Sequence, residues 1–491
     1  MFLASPIAYY TAPMAMGKRK RHANQASMWV ATQDLPRSAA HPFYARLNQI
    51  LDQHDFDSFV EGLCERFYAD EGRPGLPPGR YFRLLLIGYF EGLDAERAIA
   101  WRTADSFALR EFLGLVLPEA PPDHSTISRT RRLIDLETHE AVFTWMLQRL
   151  ADAGLVRGKT VGIDATTLEA NAALRSILRR DTSESYHDFL TKLAQASGIE
   201  TPTRADLARI DRKRKKKGSN DDWTHPHDPD AKITKMKDGR THLAHKAEHA
   251  VDLDTGAVVA VTLQGADRGD TTTLDATLGE AGIAVAEQVG REAELRPDDQ
   301  PKVNVAGIEE TVTDKGYHSG AVVKRMKAYG VRSYIPEKKQ KGWRNWAGKA
   351  VEQQAVYANR RRVRGAYGKS LLRRRGELVE RSFAHCYETG GMRRCHLRGR
   401  DNILKRQLVH VGAFNLSLIL RKLLGAGTPR ELRNRLGRLV ARVVLLFSNR
   451  NRQQRLSCSR TSGSIAKCAA RSRTRLRRPF CRKSATCTTG C

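Results

Sequence analysis

Beyond residue 155 the chain switches repeatedly between strand-like and helix-like apolar patterns, and the order of those switches limits its fold more than any other feature. Gly158 to Thr166 is a β-prone run and reads as the first strand. Ala247 to Leu253 and Val258 to Leu263 are two more, joined by Asp254-Thr255-Gly256, the chemistry of a hairpin turn. Leu274 to Glu287 reads as a helix, Thr311 to Thr313 as a short strand, Ala321 to Ala328 as a helix stopped by Gly330, and Val331 to Ile335 as a strand. A helix with Leu378, Val379 and Phe383 on its apolar face follows. With basic insertions near 200–245 and 337–369 set aside, the order is β, ββ, α, β, α, β, α. That order predicts an α/β domain with a mixed sheet over residues 155–425.

Residues 41–150 are patterned only for helices. Leu47, Ile50 and Leu51 share a face, as do Phe59, Leu63 and Phe67, and Tyr81 to Phe90 is a strongly apolar helix between proline breaks. After Pro118, Pro121 and Pro122, the stretch Asp123-His124-Ser125-Thr126-Ile127-Ser128-Arg129-Thr130-Arg131-Arg132 opens another helix, with Asp123 or Ser125 as N-cap. Short helices, tight turns and an Arg-rich last helix predict an all-α, helix-turn-helix-like domain whose Arg129, Arg131 and Arg132 face DNA. The alternative is a helical bundle whose arginines are merely solvated. Further on, Tyr186 to Ala196 is a helix stopped by Gly198. The run Arg212-Lys213-Arg214-Lys215-Lys216-Lys217 is either a solvated loop or a grip on a nucleic acid backbone.

Lys+Arg number 84 against 54 Asp+Glu, a net charge of +30, so the chain suits a polyanionic partner. Nucleic acid leads, with anionic membrane a distant second. The longest apolar stretch, Leu408 to Leu420, is interrupted by His410 and Asn415 and is shorter than the ~18–20 residues needed to cross a bilayer. With no secretory leader in the first fifteen residues, a cytoplasmic protein without membrane contact is expected. No Cys-x-x-Cys pair among the eight cysteines suggests zinc. Residues 1–40, with Lys18-Arg19-Lys20-Arg21, read as a flexible basic segment, and Met16 is an alternative start. Residues 426–491 read as a basic tail without fixed structure; from Ala441 onward there are thirteen Lys/Arg and no acid. It is either a DNA-binding tail or sequence translated past a lost stop.

Two of the strand runs end in a carboxylate, Val161-Gly162-Ile163-Asp164 and Thr311-Val312-Thr313-Asp314, and Glu380 flanks the apolar face of the last helix. Charges on central strands are rarely placed there for structure alone. Gathered together they repel, by about 4 kcal/mol for two unit charges at ~4 Å and an effective dielectric near 20, and a bound cation relieves that. Glu377, one turn earlier, is the rival of Glu380, but Arg373 four residues before it supplies an ordinary surface ion pair. His242, His245 and His249 do not converge and read as structural or surface residues; Asp252, Asp267 and Asp270 are extra acids that could support metal or DNA indirectly, though nothing in the pattern requires it.

Five stretches, in order, resemble bacterial insertion-sequence transposases of the DDE type. They are Pro122-Asp123-His124-Ser125-Thr126-Ile127-Ser128-Arg129, Val161-Gly162-Ile163-Asp164-Ala165-Thr166, Val312-Thr313-Asp314-Lys315-Gly316-Tyr317, Val379-Glu380-Arg381-Ser382-Phe383-Ala384 and Arg398-Gly399-Arg400-Asp401-Asn402. The resemblance spans Met16 to Gly437. It implies a ribonuclease H-like catalytic core, Asp164, Asp314 and Glu380 as a catalytic triad that binds metal, and two magnesium or manganese ions. Magnesium takes oxygen ligands and keeps several waters, so a few carboxylates suffice. A pair of such ions about 4 Å apart activates water, neutralises the leaving oxygen and absorbs charge on phosphorus.

The implied substrates are double-stranded DNA, both the terminal inverted repeats of an insertion sequence and its target. Water would free a 3′-hydroxyl at the element end and that hydroxyl would attack target DNA, within a homodimer pairing two ends at the nucleoid. Related transposases carry Tyr, Arg and Lys around the glutamate; here Arg373, Gly376 and Tyr387 stand at those places, and Arg375 and Arg381 are the substitutes for gripping phosphate. Trp343 and Trp346, among Lys338, Lys339, Lys341 and Arg344, either stack on an unpaired base or plug the insertion. Two other readings remain open, a sequence-specific DNA binder without chemistry and a metal-dependent nuclease without strand transfer.

Overall fold

The computed structural model describes residues 41–435 except 70, 73, 117, 118, 215–217, 237, 238, 340–343, 394 and 395, together with 437, 438 and 440. The expectations for the basic start, for Trp343 and for most of the tail therefore lie outside the described residues. Met1–Pro429 forms one compact unit and Arg430–Cys491 a second.

The first unit begins with seven helices: α1 (Pro42–Asp52), α2 (Phe56–Cys64), α3 (Pro78–Glu91), α4 (Glu96–Ala104), α5 (Phe107–Phe112), α6 (His124–Leu133) and α7 (Leu136–Asp152). Helix α3 is apolar on every side because it is enclosed on every side: Tyr81, Phe82, Leu84, Leu85, Leu86, Ile87 and Tyr89 are all buried. Its one interior charge, Arg83, is taken up by Asp52 and Asp57, each 3.0 Å away. Asp123, not Ser125, caps α6, accepting the Ser125 N–H at 2.8 Å.

The remaining elements are β1 (Thr160–Glu169), β2 (Leu178–Arg179), α8 (Tyr186–Ala196), α9 (Arg204–Lys213), β3 (Trp223–Thr224), β4 (Lys232–Lys235), β5 (Thr241–Asp252), β6 (Val258–Gly265), α10 (Asp270–Leu295), β7 (Glu310–Val312), α11 (Gly320–Ala328), β8 (Arg332–Tyr334), α12 (Ala350–Arg364), α13 (Ala366–Phe383) and α14 (Arg400–Leu424). In the main sheet β1 is central. It pairs parallel with β7, which pairs parallel with β8. On its other side lies β5, antiparallel, followed by β6 along one part of β5 and β4 along the other. The hairpin turn after β5 carries Gly256 at φ 81°, a conformation open to glycine at no steric cost.

The insertions are more ordered than their composition suggests. Ile177, Trp223 and Ala231 build a small core with Leu243 of β5, beside α8 and α9. The basic run that begins at Arg212 is not all loop, since Arg212 and Lys213 complete α9. Likewise α12 occupies half of what reads from sequence as the 337–369 insertion. Its buried stripe is only Ala355, Val356 and Asn359. The Asn359 amide substitutes for a neighbouring strand, accepting from Ile335 N at 3.0 Å and donating to Ile335 O at 2.8 Å. Asn415 does the same for Val258 at the start of β6, at 2.9 and 2.8 Å.

Helix α14 joins the seven helices to the sheet. Its Gly412 leaves room for Met146 of α7, which a Cβ would overlap. Lys405 donates to the carbonyls of Arg131 and Ile134 at the end of α6, at 3.2 and 2.8 Å. The helical run Arg400–Arg435 is long and apolar enough to cross a membrane, unlike the shorter stretch read from sequence, and 67% of its apolar window is buried inside the protein.

A buried histidine gives this helical assembly a pH dependence. His139 donates from Nδ1 to Asp135 O at 2.7 Å, so its Nε2 accepts from Tyr81 OH at 3.0 Å. Burial pushes its pKa down to about 3. The unfolded chain takes up that proton near pH ~6.5 and the folded chain does not, so stability falls as pH drops through this window. From pH ~6.5 to pH ~5 this group alone is expected to remove about 2 kcal/mol. Urea denaturation of His139→Gln should show lower stability at neutral pH but a flatter decline on acidification; an unchanged slope would assign the acid sensitivity elsewhere.

Candidate active site

Strand β1 delivers Asp164 to the middle of the sheet, opposite His249 of β5. Beside it β7 ends at Val312, paired with Gly162. Alternation then puts Gly162, Asp164 and Val312 on one face, with Asp314 just past the end of its short strand. Asp314 caps the turn Lys315–Tyr317, its Oδ1 accepting the Gly316 N–H at 2.6 Å. It has no ion-pair partner among the described residues.

Helix α13 crosses the same face. Gly162 allows it close, because a Cβ there would lie 3.2 Å from Arg375 Cγ and 2.6 Å from Leu253 Cδ2. Arg375 Nη2 sits 2.5 Å from Asp164 Oδ2. Burial pushes the Asp164 carboxyl up; Arg375 and the Ala165 N–H oppose that, while Asp314 and Asp270 add to it. Two turns along, Ser382 fixes the helix to β5. Its hydroxyl donates to Val379 O at 2.8 Å and so accepts from His249 Nδ1 at 3.0 Å. His249 is fully buried and its pKa is pushed down to about 3, which keeps it neutral. The sequence-marked histidines are thus structural here: His245 pairs with Asp228 at 3.3 Å and His242 with Glu169 at 3.5 Å.

Glu380 lies between Arg375 and Ser382 on α13 and is exposed. Its rival Glu377 is ion-paired, with Arg381 at 2.6 Å rather than with Arg373. Among the described residues no three Asp, Glu, His or Cys side chains stand close enough to form a metal cage.

A second group of polar residues lies behind Asp314. Glu248 is wholly buried and accepts from Thr273 and Thr277, each at 2.5 Å, and from Tyr317 OH at 3.0 Å. Lys246 Nζ is 3.0 Å from Glu248 Oε1 and 2.7 Å from Asp270 Oδ1, and donates to Thr273 Oγ1 at 2.9 Å. Asp270 opens α10, and a Cβ on Gly316 would lie 2.8 Å from Asp314 Oδ1 and closer still to Asp270 Oδ2. Sequence reading missed Lys246 and Glu248 altogether. Their polar character in a strand reads as solvent-facing, and only the threonines of α10 hint otherwise.

The expected DNA-contact residues differ in exposure. Arg129 and Arg132 are exposed on α6. Arg131 is not: it is buried against α4 in an ion pair with Glu96, and this removes it from the helix surface. Arg212 and Lys213 are exposed, whereas Arg214 is held by Asp211 at 3.3 Å and by Tyr186 OH at 3.1 Å. Trp346 packs on the cluster of Val323, Ala355 and Val356, with the Tyr357 ring edge-on to it at a centroid distance of 6.0 Å. Replacing Lys246 by Met should destabilise the protein by about 3–5 kcal/mol, because Glu248 would keep its buried charge without its cation. Chemical denaturation measures this, and a decrease under ~1 kcal/mol would mean that the hydroxyl donors alone satisfy Glu248.

Comparison with known families bears on the same two regions. A transposase domain family, DUF772, matches residues 31–133, the stretch that holds α1 to α6. The transposase DDE domain family matches residues 220–416, which include Asp314 and Glu380; Asp164 lies ahead of that match. No curated protein matches the chain. With one transposase family on its helical part and the DDE family on its sheet, the chain belongs to the insertion-sequence DDE transposases.

Proposed function

We propose that this transposase binds the terminal inverted repeats of its insertion sequence and carries out divalent-cation-dependent strand cleavage and strand transfer, with Asp164, Asp314 and Glu380 as the cation-binding and catalytic carboxylates. The observation that carries the reading is the meeting of β1, β7 and α13: two half-buried aspartates at neighbouring parallel strands, with a nearly buried guanidinium resting on one of them. The strand order β6-β5-β1-β7-β8, antiparallel in its first half and parallel in its second, supports a ribonuclease H-like core.

The donor set fits magnesium or manganese. It consists of carboxylate oxygens, and a cation, Arg375, already sits against Asp164. Two such ions, when bound, would supply an activated water and stabilise charge on the reacting phosphate. The chain's own part is to hold Asp164 and Asp314 in place through β1 and the Lys315–Tyr317 turn, and to bring Glu380 alongside through the bonds made by Arg375 and Ser382. Arg375 and Arg381 belong to the face that would meet the DNA backbone, and α6 with its preceding helices is the helix-turn-helix-like element of the reading. Trp346 serves the packing of α11 and α12. Synapsis of two ends by a homodimer and action within the cytoplasm complete the proposal.

Incubating the protein with magnesium and DNA carrying the element's ends should give nicks at the repeat boundary and joined products with target DNA. Asp164→Asn, Asp314→Asn and Glu380→Gln should each lower cleavage by on the order of 10²–10³-fold or more while leaving DNA affinity within a few-fold. Binding without cleavage in either metal would leave a DNA-binding protein, and cleavage without joining a nuclease.

Salt dependence separates the arginines of α6. Double replacement of Arg129 and Arg132 by Ala should reduce the slope of log affinity against log salt by roughly 0.9 for each phosphate no longer neutralised, roughly 2 in all. Arg131→Ala should instead lower stability and leave the slope unchanged. Equal slopes for the double variant and the parent would take α6 off the DNA.

A further inference from the structure

We propose that the corner between α12 and α13 is a second DNA-holding surface, which grips duplex backbone on the side of the cut away from α6. This rests on the reading of α6 and Asp164 given above and extends it to the DNA that flanks the element. From Gln353 to Gly376 the chain has eight Lys/Arg and no acid. Half of these cations are taken up internally: Arg360 by Glu337 at 2.7 Å, Arg362 by the Ser333 carbonyl at 3.0 Å, Arg374 by Asp254 at 3.0 Å and Arg375 by Asp164. The other half, Arg361, Arg364, Lys369 and Arg373, are exposed and have no ion pair or side-chain hydrogen bond among the described residues. Arg361 and Arg364 are three apart at the end of α12, and Lys369 and Arg373 four apart on α13, so each pair shares a helix face. Only Gly365 separates the two helices. The buried Gly368 keeps the corner tight, since a Cβ there would overlap the Arg362 carbonyl.

Like charges at these spacings repel, and local structure accounts for only part of the set. The α12 dipole favours Arg361 and Arg364 at its C-terminal end, but the α13 dipole opposes Lys369 near its N-terminal end. A polyanion laid across both helices offsets all four charges. Placement identifies which stretch of DNA this is. Helix α12 packs on β8, whereas α14, which holds the end of α6 through Lys405, packs on β6. Those strands are the two ends of the path β6-β5-β1-β7-β8, and β1 with Asp164 lies between them. Lys369 precedes Arg375 by six residues on α13, about 9 Å along the axis, so the corner begins beside the candidate site. A duplex held by α6 at one edge and running past Asp164 reaches the corner at the other. There it is DNA beyond the element's end, where a mobile element has no fixed sequence to read and only the phosphates are constant.

Fluorescence anisotropy with the full chain compares two duplexes, one ending at the repeat boundary and one continuing about two helical turns beyond it. The slope of log affinity against log salt should be steeper for the parent on the longer duplex by roughly 3–4, about 0.9 for each of four phosphates neutralised. Replacing Arg361, Arg364, Lys369 and Arg373 together by Ala should remove this increment and leave binding of the shorter duplex as in the parent. Lys369→Glu puts an acid where the α13 dipole favours one, so Tm should hold or rise while the increment shrinks; a purely structural Lys369 would show the reverse, a lower Tm with the full increment. An increment equal in the parent and the quadruple variant, or absent from the parent, would overturn the role of the corner. If the parent binds a scrambled duplex as tightly as the repeat, end recognition is what falls. On that scrambled duplex a lower slope for the quadruple variant would still support the corner as a backbone grip, and an equal slope would rule it out.

Discussion

Glu248 is a carboxylate with no access to solvent, and the geometry around it depends on keeping that charge satisfied. An isolated ion in such a place would cost several kcal/mol, so its partners have to arrive together. They come from three parts of the chain: Lys246 from the same strand, Thr273 and Thr277 from α10, and Tyr317 from the turn that Asp314 caps. Satisfying Glu248 therefore fixes the start of α10 and the turn after β7 relative to β5. Asp314 is placed as a consequence, since its turn ends in Tyr317.

The other face of β5 carries a second dry polar cluster. His249 meets Ser382 of α13 and Tyr387 in the π-helical stretch Ala384–Thr389 that follows it, and Tyr387 in turn accepts from Gln407 of α14. Lys246 and Glu248 share one side of the strand and His249 lies on the other, as alternation requires. One strand thus anchors the layer that bears Asp270 and the layer that bears Glu380. The first cluster closes an ammonium and three hydroxyls around a buried carboxylate and the second contains only neutral groups, and in each the groups hydrogen-bond to one another, the arrangement in which buried polar groups add rigidity.

The strand-and-helix order is largely readable from sequence because β1, β6, β7, β8 and the second half of β5 are β-prone and bounded by turn residues; the α8 range and the β5–β6 hairpin follow the pattern directly, whereas β4 and the start of β5 are hidden in what reads as a basic insertion. Helix α12 is not readable, because its buried side is two small residues and an asparagine among arginines. Helix α14 conceals its core role in the same way, burying Gln407, His410, Asn415 and Ser417 next to its leucines. At the site, Asp164 and Asp314 stand out as charges at strand segments. Asp270 and Lys246 do not, since their pairing joins residues 24 apart in sequence on different elements. Arg131 reads as a surface residue because its partner, Glu96, is on another helix. Between Arg373 and Arg381 as partners for Glu377 the sequence offers no choice, both being one turn away.

On the proposed reading, charge also sets the order of events. A chain of net charge +30 attracts DNA over its whole surface, yet the acids near Asp314 repel the phosphates at the place where they must come closest. Arg375 offsets part of that while it lies on Asp164. A divalent ion held by Asp164 would supply the same neutralising charge, and Arg375 would then be free for the backbone. On that reading the ion and DNA would each strengthen the binding of the other, by linkage with the same factor in both directions. The arginine on Asp164 is in this sense the placeholder that balances this carboxylate before either ligand is bound.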